Sequence, residues 1–158
     1  MRGPLEGVNP LVAPVFHTFM HVREDLARHT EGVSDEEVWK SIGGLAPLGF
    51  HLRHIAGSVD RLVTYLLEEP LTEEQFAFLK AEAEPGGTLE ELLAELDQAL
   101  AKAEDRLWTI DPASIHEPRY IGRKRLPTTV LGLLVHIAEH TQRHLGQAIT
   151  TAKVERGR

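Results

Sequence analysis

The sequence predicts an all-α protein, a four-helix bundle with short extra helices in its connections. Three observations carry this. Four long stretches repeat apolar residues at helical spacing; no stretch alternates convincingly like a half-buried strand; and the breaks fall at glycines and prolines. Each amphipathic helix has one apolar stripe to bury, and four stripes turned toward one another bury them all.

The first helix is expected over Asn9–Arg28, where Leu11, Val12, Val15, Phe16, Phe19, Val22 and Leu26 share a face. Ser34 before Asp35-Glu36-Glu37 reads as an N-cap with an acidic first turn, opening a short helix that ends by Gly43-Gly44. Pro47 opens a second long helix reaching Leu67, with Leu48, Leu52, Ile55, Val59, Leu62, Val63 and Leu66 as its apolar face. Pro70 breaks it. Thr72 with Gln75 resembles a capping box that starts a short helix through about Glu82. Pro85-Gly86-Gly87 is a break, and Thr88 with Glu91 is a second box opening a helix to Leu107. A loop is expected over Thr109–Pro127, with a short extended piece around Arg119–Ile121, and the last helix runs from Thr128 or Thr129 to Lys153. The long third connection leaves simple up-down-up-down order open.

A chain of 158 residues suits one domain, residues 1–158, with a real core. Apolar runs are too short to span a bilayer, and MRGPLEGVNP has no apolar core of a signal peptide, so a cytoplasmic location and no membrane partner are expected. The net charge of −7 argues against a nucleic-acid partner. The basic run RYIGRKR, Arg119 to Arg125, reads as a solvated loop or as a means to steer an anionic substrate. With no cysteine there is no disulfide and no protein thiolate, so any metal must be held by nitrogen and oxygen.

Nine histidines raise that possibility. His136, His140 and His144 stand at four-residue steps on the last helix. On a helical wheel His144 lies inside the edge of the apolar sector, His140 at its boundary and His136 beyond it. Imidazoles at i and i+4 project in parallel and can chelate one divalent ion, so His140 and His144 are the candidates and His136 an outer group. On the second long helix, His51 lies nearer the apolar sector than His54, and periodicity alone favours it. His17 and His21 point away from the first helix's apolar face and are expected on the surface. The C-terminal end of a helix suffices to explain His29.

HIAGSVDRL on the second long helix, with HTQRHLGQ on the last, resembles the DinB/YfiT-like superfamily. The resemblance extends over almost the whole chain. It implies a four-helix bundle that binds one divalent metal through three histidines, often as a homodimer. Carried over residue by residue, the ligands fall on His54, His140 and His144, with Gly146 and Gln147 completing the last motif. His54 rather than His51 thus follows from the resemblance and not from the wheel. Some relatives carry an acidic residue and a serine soon after the second-helix histidine, where this chain has Gly57 and Ser58. His51, His136, Gln147, Arg61 and Tyr65 remain as neighbours or pocket residues.

The metal expected is zinc or nickel, with iron or manganese as alternatives, since imidazole suits several ions. Three neutral imidazoles leave open positions, where a bound water or thiol is acidified. The resemblance implies transfer of a low-molecular-weight thiol, of bacillithiol type, to an electrophilic small molecule. Metal-dependent hydrolysis is the alternative, with His51, His136 or Glu139 as the nearest bases. A stress-response module that binds metal or dimerises without chemistry is the third.

Overall fold

The computed structural model describes residues 3–157. Its elements in order are α1 (Ala13–His29), α2 (Asp35–Val38), α3 (Leu48–Leu66), α4 (Glu73–Ala81) and α5 (Leu89–Leu107), then β1 (Pro118–Ile121), β2 (Leu126–Thr129) and α6 (Val130–Glu155). A 3-10 turn over Pro112–His116 precedes β1. The four long helices are α1, α3, α5 and α6; the predicted capping boxes at Thr72 and Thr88 are formed, and the predicted N-cap at Ser34 closes a full capping box with Glu37.

Local chemistry explains the shifted boundaries. α1 starts at Ala13 rather than Asn9 because Pro14 fits only a helix's first turn, and the Asn9 side chain instead accepts from the Leu11 N–H at 3.0 Å. α6 starts at Val130, with the Thr129 hydroxyl accepting from the Gly132 N–H at 3.1 Å.

The connection expected to be a loop holds an antiparallel hairpin, with Arg119 opposite Thr128 and Tyr120 opposite Pro127. Sequence reading places the extended piece at β1 and misses β2, because Pro127 argues against a strand. A two-stranded ribbon has only edges, so a proline is tolerated there. Nor is the basic run wholly solvated. Arg119 is buried and its Nε donates to the Leu66 carbonyl at 2.6 Å, capping the C-terminal end of α3 with a cation. Arg123, Lys124 and Arg125 are exposed at the turn.

Helix order decides where the site can form. α3 packs against both α5 and α6, and α1 packs mainly against α6. Around the bundle the order is therefore α1, α6, α3, α5, and the consecutive long helices α1 and α3 lie diagonally. α3 and α6 are thus neighbours, and the cross-helix pairs His51–His144 and His54–His140 show that they run antiparallel. Phe19, Leu52, Ile55, Leu100, Ile137 and Leu145 fill the centre. Among the described residues, no helix is long and apolar enough to cross a membrane.

At the end of α6, both Glu155 carboxylate oxygens are buried with no hydrogen-bond partner among the described residues. Burial, with Glu37 nearby, raises this carboxyl from its usual 4.5 to about 7. The fold thus favours its protonated form, and stability falls as pH rises from about 4.5 to about 7. Glu155→Gln is expected to melt higher than the wild type at pH 8 and equally at pH 4. Equal melting at both pH values would contradict this.

Candidate metal centre

His51 and His54 are one turn apart on α3, and His140 and His144 one turn apart on α6. Because the helices are antiparallel, the four meet in pairs. His54 Nε2 lies 3.0 Å from His140 Nε2, and His51 Nδ1 lies 3.3 Å from His144 Nδ1. One nitrogen each from His54, His140 and His144 fall within 4.8 Å of one another. The three rings are half-buried, whereas His51 is only 4% exposed, deeper between the helices.

The chemistry of the donors suits a divalent cation. Burial, followed by the neighbouring His54 ring, lowers His140 and His144 from the usual 6.5 to about 4. The same causes lower His51 to about 4. These rings are neutral at pH 7, the state in which an imidazole nitrogen can donate its lone pair. Metal-free, each close pair needs one ring to donate and one to accept.

The lowered values predict a sign for acid stability. Between about 6.5 and about 4 the unfolded imidazoles take up protons that the folded ones refuse, so stability falls as pH drops through that window. We expect the metal-free protein to melt lower at pH 5 than at pH 7, and the difference to shrink in His51→Gln. An undiminished difference in that variant would contradict the assignment.

Two residues behind His54 complete the arrangement. His54 Nδ1 lies 2.8 Å from Glu82 Oε2, and Arg61 Nη1 donates to Glu82 Oε1 at 2.7 Å. Glu82 follows α4 directly and is only 4% exposed. Both flanks of Glu82 are anchored on α3. The buried Gln75 donates to Asp60 at 2.5 Å and to Thr64 at 2.9 Å, while Arg53 donates to the Glu84 and Gly86 carbonyls at 2.8 and 3.0 Å. Gly57 makes room: a Cβ there would lie 2.4 Å from Glu82 Oε1 and 2.7 Å from Arg61 Nη1. On its other side the His54 ring stacks on Phe50, centroids 5.3 Å apart.

The remaining candidates separate clearly. Arg61 reaches the site through Glu82. Tyr65 does not: it stands eleven positions, about 16 Å of helix, beyond His54. It lines a different cavity with Tyr120 and Arg125. The exposed basic turn is likewise at that far end. His136 sits outside, its Nδ1 2.8 Å from Glu139 Oε1, and Gln147 is exposed. His17 and His21 are half-buried rather than on open surface, because α1 packs on α6; His21 Nδ1 lies 3.4 Å from Gln142 Nε2. A cavity of about 720 Å³ lies between α3, α4 and α5, lined in part by Gly57, Asp60 and Phe78 and by none of these histidines.

Sequence reasoning missed Glu82, which is remote from His54 in the chain. Gly57 inside a helix was the available signal, since an interior glycine marks a close approach.

A family model described as the DinB superfamily matches residues 18–148, a span that contains all four histidines. Among curated proteins, none matches the sequence. Among solved structures, the chain is similar to YfiT from Bacillus subtilis, described as "a probable metal-dependent hydrolase with an unusual four-helix bundle topology". That likeness covers 99% of this chain and 94% of YfiT, with a TM-score of 0.65 and 19% identity, and it speaks for the fold.

Proposed function

This chain belongs to the DinB superfamily, and on that premise we propose that it is a metal-dependent enzyme that transfers a low-molecular-weight thiol, of bacillithiol type, to an electrophilic small molecule. His54, His140 and His144 would hold one divalent ion, zinc or nickel ahead of iron or manganese. The observation that carries the reading is the convergence of three imidazole nitrogens within 4.8 Å, with no fourth protein ligand grouped with them among the described residues. Three protein ligands suit a catalytic site, whereas structural zinc is normally closed by four. A bound divalent ion supplies Lewis acidity, which lowers the pKa of a coordinated thiol or water.

The chain's own part is to hold that ion and keep the site open on one side. His140 and His144 stay neutral at pH 7, and Phe50 and Glu82 fix the His54 ring. The net reaction forms a carbon–sulfur bond, breaks the bond to the leaving group, and sends the thiol proton to solvent. Thiol transfer asks for no general base. The nearest carboxylate, Glu82, is already engaged by His54 and Arg61, and His51 faces His144.

Hydrolysis is the second reading, supported by the description of YfiT. The two differ in one assay. With zinc or nickel added, monochlorobimane and a panel of thiols should give conjugate in the wild type and none in His140→Ala. Ester or amide turnover without thiol would favour hydrolysis instead. Neither activity in a protein that binds metal would favour a non-enzymatic module.

A further inference from the structure

We propose that Glu82 is a positioning residue for the metal site, fixing the His54 proton on Nδ1 so that Nε2 presents its lone pair to the ion. The inference rests on the metal reading above but makes a claim that can be checked without metal. A neutral imidazole carries one proton on one of two nitrogens, and only the bare nitrogen can ligate. Left alone, His54 has no reason to keep its proton off Nε2, which faces His140 Nε2 at 3.0 Å. Glu82 supplies the reason. Its Oε2 lies 2.8 Å from Nδ1, and a carboxylate only accepts, so Nδ1 must carry the proton.

Arg61 and Gly57 make the arrangement specific. Arg61 is only 9% exposed and donates to the other carboxylate oxygen, which sets the rotation of the Glu82 carboxylate. Any side chain at position 57 would occupy the space of the carboxylate and the guanidinium, so the glycine is spent on admitting Glu82. The Gln75 and Arg53 contacts hold the segment on both sides of Glu82 against the helix that bears His54. A carboxylate behind a ligating histidine raises its basicity and fixes its orientation, and losing such a partner typically costs ~10- to 100-fold in metal affinity.

Glu82→Gln is the discriminating variant, because it preserves shape. Arg61 only donates, so the amide oxygen must turn toward it and the amide NH2 toward His54. Nδ1 must then accept, and the proton moves to Nε2, the nitrogen the ion needs. Long-range proton–nitrogen NMR of the metal-free protein at pH 8 reads this directly. We expect the His54 proton on Nδ1 in the wild type and on Nε2 in Glu82→Gln, with zinc affinity lower by ~10- to 100-fold in competition with a chromophoric chelator. A proton on Nε2 in the wild type overturns the proposal, even if the variant does not fold. So does a variant with unchanged tautomer and unchanged zinc affinity. If the wild type binds no zinc, the metal reading fails alone, and the tautomers still decide the role of Glu82.

Discussion

Replacing His54, His140 or His144 singly by alanine is expected to lower zinc or nickel affinity by more than about 100-fold, beyond the cost of losing an outer hydrogen-bonding partner. Each substitution removes one of three nitrogens, and two imidazoles then grip the ion alone. His140→Ala and His144→Ala also destroy the one-turn chelate on α6. His136→Ala leaves affinity unchanged, because that ring lies outside, paired with Glu139. Heat denaturation reads the same difference. At zinc 100-fold above its Kd, the wild type gains about 2.7 kcal/mol by mass action, which for a domain of this size raises Tm by roughly 5–11 °C. His140→Ala gains almost none of that at the same zinc concentration. Equal zinc-induced shifts in both proteins would remove His140 from the site.

The second large effect lies in the core. Leu100 on α5 is fully buried, and α5 carries none of the four histidines. Leu100→Ala should cost about 2–5 kcal/mol, lowering Tm by roughly 4–20 °C. The zinc-induced gain should survive in full, because the substitution leaves α3 and α6 with their own contacts. Calorimetry with and without zinc checks both halves. Loss of the gain along with the stability would mean that the α3–α6 geometry depends on α5 more closely than the packing indicates.

The bundle was legible because its signals are local. Apolar residues at helical spacing mark α1, α3, α5 and α6, and Ser34, Thr72 and Thr88 announce the helices they cap. The last-helix histidines were legible for the same reason, since His140 and His144 share a face by spacing alone. What was not legible depends on pairing between distant segments. The wheel favoured His51 over His54 because it measures depth, and His51 is indeed the deeper ring; the nitrogens that converge belong to a shallower face. Strand β2 exists only because β1 pairs with it. Glu82 was invisible because its partners His54 and Arg61 lie on another helix, and only Gly57 hinted that something approached α3 there. Tyr65 shows the reverse error: sharing a side of α3 with His54 does not bring it close, since helical distance separates them by three turns.

The most direct test is crystallographic. Crystals soaked in zinc and measured across the zinc absorption edge should show a single anomalous peak between α3 and α6, about 2.0–2.1 Å from one nitrogen of each of His54, His140 and His144. A peak lying elsewhere on the chain, or no peak in a protein that remains folded, would contradict the account.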